Sequence, residues 1–204
     1  MVTKPPSLET QITQIRKRLQ HCSVGIAGLG GLGSNAAVAL ARSHIGKLVL
    51  VDFDIVEPTN LNRQYYFLNQ IGQPKTDALK DTIQNINPQV TIETHTLFLE
   101  QGAMDQPFHN VDLIIEALDN AETKTTFIEE IQQSLPTTPL IAASGVTGYG
   151  HSDRIHTQQI GTLYLVYDNK AKGIEEDILT APRVSLIANW QANLALEILL
   201  GEQE

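Results

Sequence analysis

A glycine-rich turn between an apolar strand and a helix constrains this chain more than any other stretch. The apolar residues 24–27 lead into Gly-Leu-Gly-Gly-Leu-Gly over positions 28–33, and an alanine-rich helical run follows from Ala36 to Ser43. Glycine lets the backbone come close to a phosphate, and the amino end of a helix offers free N–H groups and a favourable dipole. We therefore predict that a nucleotide binds at this turn.

The rest of the chain alternates apolar strands with amphipathic helical stretches. The predicted strands lie at 24–27, 48–51, 90–97, 112–116 and 139–143, and the predicted helices at 7–20, 36–43, 74–86, 100–106 and 121–134. Such alternation is typical of a parallel sheet with both faces covered. The expected fold class is α/β, with a Rossmann-like, mostly parallel sheet and helices on both faces.

The pattern changes after Ser144. A glycine-rich crossing leads to a predicted antiparallel hairpin over 154–158 and 162–167, a polar loop over 169–180 that we expect to be mobile, and a long helix that ends at Leu200. We expect one domain over residues 1–204. Within this domain, residues 1–22 form an amino-terminal arm that contains a helix, and residues 1–6 of the arm form a loose end. Residues 145–204 form the hairpin, the loop and the last helix.

Charge and cysteine usage exclude several classes of function. The formal net charge is −9, which argues against nucleic acid as a partner, because binding a phosphate backbone needs a basic face. The one cysteine, Cys22, cannot form a disulfide within the chain or a zinc site of paired cysteines. No apolar run approaches the roughly 18 residues that cross a bilayer, and no signal-peptide core is present. We expect a cytoplasmic protein with no membrane partner.

The residues beyond the second strand indicate which kind of nucleotide the chain binds and which reaction it performs. That strand ends on Asp52, where an acid can hold a ribose hydroxyl. A glycine turn with a ribose acid also occurs in dinucleotide dehydrogenases. Here, however, Asn-Leu-Asn-Arg-Gln over 60–64 and Gly-Gln-Pro-Lys over 72–75 add an arginine and a lysine. These two cations suit a triphosphate, whose charge must be neutralised while its α-phosphorus is attacked.

Together these motifs strongly resemble the ThiF/MoeB/HesA family, the bacterial relatives of ubiquitin-activating enzymes. The resemblance runs from about residue 23 to 146: the glycine turn, Asp-x-Asp, Asn-Leu-x-Arg-Gln, Gly-Gln-Pro-Lys, Ile-Asn-Pro and Asp119-Asn120 occur in family order. Ala-Pro-Arg-Val over 181–184 and Gln-Ala-Asn over 191–193 further resemble the short ThiF-like branch of ThiS adenylyltransferases.

The resemblance implies an ATP-dependent reaction on a small ubiquitin-like carrier protein that ends in Gly-Gly. The carrier's C-terminal carboxylate attacks the α-phosphate, giving an acyl-adenylate and pyrophosphate. ThiS in thiamine thiazole synthesis is the expected carrier, and a carrier of the molybdopterin synthase small-subunit type is the alternative within the family. The resemblance also implies a homodimer, in which an arginine of the partner's amino-terminal arm reaches the triphosphate. Arg16 and Arg18 are the candidates for that arginine.

The resemblance also assigns roles to individual residues. Gly28, Gly30, Gly31 and Gly33 line the phosphate turn; Asp52 holds the ribose; Asn60, Arg63 and Lys75 bind phosphates; Asp54 and Gln64 contact ligand; Asp119 holds Mg²⁺. Arg63, Lys75 and Asp119 are the expected catalytic residues. From the residues alone, structural roles stay open: Asp52 as a strand-end cap, Asn60 as a turn residue, Arg63 and Lys75 in ion pairs, and Asp119-Asn120 as a helix cap.

The chain departs from the family pattern in two places. Many members carry two Cys-x-x-Cys pairs that bind zinc, and this chain has none, so we expect no zinc. Many also carry a cysteine in the crossing loop that takes the carrier covalently, whereas residues 144–177 contain no cysteine. We therefore expect adenylation without a covalent enzyme–carrier intermediate, with Cys22 as a buried small residue.

Two other classes of function compete with carrier adenylation. An NAD-dependent oxidoreductase would share the glycine turn, but it has no need of Arg63 and Lys75. A non-catalytic scaffold would keep the fold without needing the phosphate and magnesium residues.

Overall fold

The computed structural model describes residues 7–173 and 176–201, which form one seven-stranded sheet flanked by helices. The strands are β1 Ser23–Ala27, β2 Lys47–Asp52, β3 Thr91–Thr96, β4 Leu113–Glu116, β5 Leu140–Ser144, β6 His156–Ile160 and β7 Leu163–Tyr167. The helices are α1 Leu8–Leu19, α2 Gly31–Arg42, α3 Lys75–Ile86, α4 Ala121–Ser134 and α5 Ala181–Leu200. The strand order is β3-β2-β1-β4-β5-β7-β6, and every pairing is parallel except β6 with β7. The predicted fold class is confirmed.

The sheet separates two apolar clusters, which explains why its central strands are apolar throughout. In β2, Leu48 and Leu50 pack with the cluster formed by α2, α3 and α5. Val49 and Val51 point to the opposite side, where Phe127 of α4 packs. Alternate residues of a strand face opposite sides of a sheet, so a strand covered on both faces needs apolar residues at every position.

Three local predictions differ from the structure. Residues 100–106 form turns rather than a helix, because Gly102 takes a left-handed backbone (φ +89°), and the helical turn comes later, at Gln106–Phe108. The helix α2 begins at Gly31, five residues before the predicted start at Ala36, and it ends at Arg42, shortly before His44 takes a left-handed backbone (φ +65°).

The third difference is the hairpin, whose first strand lies two residues further along than predicted. Gly161 takes a left-handed backbone (φ +62°) in the turn between the two strands. Ile160 therefore pairs with Leu163 across the turn, and this pairing sets the register of the hairpin. Positions 1–6 of the expected loose end, 174–175 of the expected mobile loop and 202–204 lie outside the described residues.

Among residues 7–173 and 176–201, no helix has the length and apolarity needed to cross a membrane.

The α4 side of the sheet gives a test of the core. Phe127 is fully buried and packs edge-on against Phe108 at 5.7 Å between ring centroids. We expect Phe127→Ala to lower the free energy of unfolding by about 3–5 kcal/mol, because it removes buried surface and leaves a cavity. The matched control Phe98→Ala removes a ring that is 56% exposed and should cost about 1 kcal/mol or less. Urea unfolding measures both, and equal losses would contradict this assignment of the core.

Candidate functional site

The site predicted from the glycine turn lies at the edge of the sheet where the parallel strands end. From β1 the chain proceeds to β2 and β3 on one side, and then crosses to β4 on the other side of β1. The sheet therefore reverses its winding direction between β1 and β4. Open α/β sheets bind ligands in the crevice at such a reversal, outside the carboxyl ends of the strands.

The glycine turn passes so close to its surroundings that two of its glycines admit no side chain. A Cβ on Gly33 would lie 1.9 Å from the Gly28 carbonyl oxygen, and one on Gly28 would lie 2.7 Å from the Ala117 carbonyl oxygen. Gly28 also has φ +87°, a conformation that side chains disfavour. Gly30 differs, since the nearest atom to its Cβ position is Gln64 Nε2 at 3.7 Å. Gly28 and Gly33 thus shape the turn, while Gly30 leaves space beside Gln64.

Side chains of the first turn of α2 tie the glycine turn to the loop that carries Arg63. Ser34 Oγ donates to the Gly30 carbonyl (2.6 Å) and accepts from the Tyr65 N–H (2.9 Å). Asn35 Nδ2 donates to the carbonyls of Gly31 (2.7 Å) and Arg63 (3.0 Å). The glycine turn and the backbone at Arg63 are therefore positioned by the same two polar residues.

Asp52 ends β2 and fixes the glycine turn with its carboxylate. Its Oδ2 accepts from the Leu29 N–H at 2.6 Å and its Oδ1 from the Asp54 N–H at 2.8 Å. The side chain thus has the strand-end role that the sequence left open. Each carboxylate oxygen has a further lone pair, so the same group can accept from a ribose hydroxyl.

Tyr66 stabilises the glycine turn through a hydrogen bond to its backbone. Its hydroxyl donates to the Leu29 carbonyl at 2.8 Å. Burial raises the pKa of Tyr66 well above its usual value, and the charges of Asp52 and Asp54 raise it further. The phenol therefore stays protonated and remains a donor.

Lys75 begins α3 and forms an ion pair with Asp54. Its Nζ lies 2.7 Å from Asp54 Oδ2, and its backbone N–H donates to the Asp54 carbonyl at 2.9 Å. The Lys75 side chain is 6% exposed, whereas that of Asp54 is 46% exposed. One carboxylate contact leaves donors on the ammonium for a phosphate oxygen.

The Asn-Leu-Asn-Arg-Gln segment brings three candidate residues to the site. Arg63 Nη1 contacts the Thr59 carbonyl (3.3 Å) and Asn62 Oδ1 (2.8 Å). Gln64 faces Gly30, and its Oε1 is buried without a hydrogen-bond partner in the described part of the chain. A buried acceptor without a partner is costly, and a ligand donor beside the glycine turn would satisfy it. Asn60 is buried, and its Oδ1 accepts from the Glu57 N–H, which is the turn role.

Asp119 is exposed just beyond the end of β4, and the adjacent Asn120 caps α4 by accepting from the Thr123 N–H. The described residues contain no group of three or more metal-binding side chains. A single exposed carboxylate does not suit zinc. It does suit Mg²⁺, which keeps several waters and takes its other oxygens from phosphates.

A buried ion pair behind Asp119 was not predicted from the sequence. Glu116 is fully buried at the end of β4, pairs with Lys124 Nζ at 2.5 Å and accepts from the Leu118 N–H at 2.7 Å. Burial raises the pKa of Glu116, although the charge and hydrogen bond of Lys124 oppose the rise. The signal was an acidic residue in an otherwise apolar strand.

A second buried pair lies at the same edge, two strands further along. Arg183 Nη2 contacts Asp168 Oδ2 at 2.6 Å, and both side chains are 4% exposed. Burial alone would raise the pKa of Asp168. This effect of burial is outweighed by hydrogen bonds from the Lys170 N–H and from Arg183 and by the positive charges of Arg183 and Arg154. The pKa of Asp168 is therefore lowered. The sequence motif Ala-Pro-Arg-Val contained this arginine, but nothing local indicated its partner.

This sheet order, with a glycine turn at the winding reversal, defines a doubly wound, Rossmann-like α/β protein. The sequence model of the ThiF family matches residues 8–204, and the chain belongs to that family.

The relatives of this chain include proteins named as two different kinds of enzyme. The chain is 36% identical over 132 residues to the tRNA threonylcarbamoyladenosine dehydratase of Bacillus subtilis; the match covers 63% of this chain and 52% of that protein. It is 37% identical over 121 residues to ubiquitin-like modifier-activating enzyme 5 of Oryza sativa, covering 53% of this chain and 29% of that protein. The chain thus matches about half of the first protein and less than a third of the second.

Solved structures confirm the fold. The E. coli tRNA N6-threonylcarbamoyladenosine dehydratase TcdA, solved in complex with ATP, superposes with a TM-score of 0.83 at 20% identity, covering 92% of this chain and 89% of that one. The structure of E. coli MccB with ATP superposes with a TM-score of 0.72 at 22% identity, and the match covers 92% of this chain and 58% of that one.

The glycine turn gives a paired stability test. Gly33→Ala should lower the free energy of unfolding by about 4 kcal/mol or more, because the new methyl meets the Gly28 carbonyl and the turn must move. Gly30→Ala, whose Cβ position is open, should cost about 1 kcal/mol. Thermal or urea unfolding compares them, and a Gly33→Ala protein as stable as the Gly30→Ala protein would contradict the turn geometry.

The Glu116–Lys124 pair gives a pH-dependent test. Lys124→Met leaves a buried carboxylate unpaired and should cost about 3–5 kcal/mol near neutral pH. Since the pKa of Glu116 then rises further above its unfolded value, the folded state takes up the proton first, and the loss should shrink as the pH falls toward about 5. The double variant Glu116→Gln/Lys124→Met should recover part of the loss. Urea unfolding at both pH values checks this, and a loss independent of pH would refute it.

Proposed function

We propose that this chain activates the C-terminal carboxylate of a small ubiquitin-like carrier protein by adenylation with ATP. One observation carries the proposal: the glycine turn follows β1, Arg63 and Lys75 follow β2, and Asp119 follows β4, and these parallel strands are neighbours that end at one edge of the sheet. Family membership supports it, because the relatives include ubiquitin-like modifier-activating enzymes.

The proposed reaction exchanges the phosphoanhydride bond between the α- and β-phosphates of ATP for the mixed anhydride bond of an acyl-adenylate. A carboxylate oxygen of the carrier bonds to the α-phosphorus, the bond from that phosphorus to the bridging oxygen breaks, and pyrophosphate leaves with the bond's electron pair. The N–H groups at the start of α2 hold the phosphates over the glycine turn, and Asp52 accepts from the ribose. Arg63 and Lys75 neutralise charge that grows on the departing oxygens. Asn60, Asp54 and Gln64 complete the nucleotide site.

Asp119 is the proposed ligand of Mg²⁺, which supplies charge neutralisation on the phosphate oxygens when bound. An acidic residue at this position would repel a bare triphosphate, so we expect nucleotide binding to weaken when magnesium is chelated.

For the finer assignment, we propose a ThiS-like sulfur carrier of thiamine thiazole synthesis, acted on in the cytoplasm by a homodimer. Ala-Pro-Arg-Val and Gln-Ala-Asn in α5 support the ThiS-like branch by resemblance. A carrier of the molybdopterin synthase small-subunit type is the alternative. Because the crossing loop contains no cysteine, the acyl-adenylate would pass to its acceptor without a covalent enzyme–carrier intermediate.

A second candidate follows from the Bacillus subtilis relative, which is named as a dehydratase of a tRNA nucleoside. Its identity to this chain is comparable to that of the activating enzymes. The formal net charge of −9 counts against tRNA, because binding a polyanion needs a basic surface. Carrier adenylation therefore remains the preferred function.

Carrier-dependent exchange of labelled pyrophosphate into ATP tests the proposal. We expect exchange with a Gly-Gly-ended carrier from a panel that includes both carrier types, and no exchange with tRNA. Asp119→Asn and Arg63→Gln should each lower the exchange rate by about a hundredfold or more, because each removes charge compensation at the phosphates. The matched controls Glu122→Gln and Arg42→Gln alter exposed residues outside the proposed site and should retain the wild-type rate.

Other outcomes would favour the competing functions. Exchange or ATP consumption that depends on tRNA alone would favour the dehydratase reaction. Tight ATP binding with no exchange for any carrier would favour a scaffold, and a preference for NAD over ATP would favour an oxidoreductase.

A further inference from the structure

A cavity of about 240 Å³ opens between the loop after β5, the residues after β7 and the start of α5. Thr147 and Arg154 line it from the first side, Lys170 from the second and Arg183 from the third. The strand β7 runs parallel to β5, so this cavity lies at the same edge of the sheet as the glycine turn.

The lining of the cavity is more cationic than the chain as a whole. The lining contains three cations, Arg154, Lys170 and Arg183, and two carboxylates, of which Asp168 pairs with Arg183 and also interacts with the charge of Arg154. Asp177 is the second carboxylate of the lining. Among residues 7–173 and 176–201, no carboxylate lies within ion-pair distance of Arg154 or Lys170. The cavity can therefore attract a negatively charged group, although the formal net charge of the whole protein is −9.

Arg183 adds a donor that is buried and unused. Its Nη2 contacts Asp168 and its Nη1 the Gly150 carbonyl at 3.3 Å. Its Nε is buried and has no hydrogen-bond partner in the described part of the chain. Leaving a buried N–H of a charged group unpaired costs free energy, and a ligand oxygen in the cavity would remove that cost.

The sheet topology gives the approximate spacing between the cavity and Asp119, the proposed magnesium ligand of the adenylation site. Asp119 follows β4, and the cavity lies at the ends of β5 and β7, up to two strands away. Two strand spacings of about 4.8 Å make about 10 Å, which three extended residues cover at about 3.3 Å each.

We infer that this cavity binds an acidic side chain of the carrier's C-terminal tail, about three residues before the carboxylate that is adenylated. The inference rests on the proposed function and adds a determinant of carrier choice to it. Arg154 and Lys170 provide the charge, and Arg183 Nε provides a buried hydrogen bond. The glycine turn and Asp119 hold the other end of the same extended tail.

Two labelled decapeptides that end in Asp-Ala-Gly-Gly and Asn-Ala-Gly-Gly test the inference by fluorescence anisotropy on the full chain. We expect the Asp peptide to bind about tenfold more tightly, because hydrogen bonds to a charged group are the stronger ones. Arg154→Gln and Lys170→Gln should each reduce this ratio to about threefold or less. Lys172→Gln, a nearby exposed lysine outside the cavity lining, should leave it unchanged.

Arg183→Lys keeps a positive charge opposite Asp168 but removes the Nε donor, so it should also lower the ratio. An unchanged affinity for ATP would show that this variant is folded. Equal affinities of the two peptides for the wild-type chain, or no binding of either while carrier-dependent exchange persists, would overturn the inference alone. Absence of exchange with every carrier would instead overturn the proposed function.

Discussion

The hydrogen bond from the Leu29 N–H to the Asp52 carboxylate is the contact on which the arrangement of the candidate site depends. It joins the glycine turn after β1 to the end of β2. The same carboxylate accepts from the Asp54 N–H, and Asp54 in turn pairs with Lys75 at the start of α3. Asp52 thus sets the relative positions of the ends of β1 and β2. Through Asp54 it also sets the position of Lys75.

A second set of contacts brings the loop beyond Asp52 to the same place. Ser34 and Asn35 use the first turn of α2 to hold the backbone at Tyr65 and Arg63. Both polar residues directly follow the last glycine of the turn, so the motif that would bind phosphate also positions the arginine that would neutralise it. This coupling gives a physical reason for finding the two motifs together in one chain.

The parts of the structure that depend on local sequence were predicted well. The helix α4 begins after Asn120 and ends at Ser134 as expected, because the amide caps its first turn. The candidate site residues lie in the segments that follow β1, β2 and β4, and the apolar runs identified these strands. Contacts between distant segments were not predictable: Arg183 and Asp168 are joined only when α5 packs against the sheet. The first strand of the hairpin was misplaced by two residues because a single left-handed glycine sets the register.

The proposed function depends on where the triphosphate lies. A crystal structure of this chain with Mg²⁺ and a non-hydrolysable ATP analogue measures that directly. We predict phosphates over residues 28–33, the ribose on Asp52, an acceptor contact from Gln64 Oε1, and the metal between Asp119 and the phosphates. A nucleotide bound away from the glycine turn, or a triphosphate that contacts neither Arg63 nor Lys75, would contradict the account.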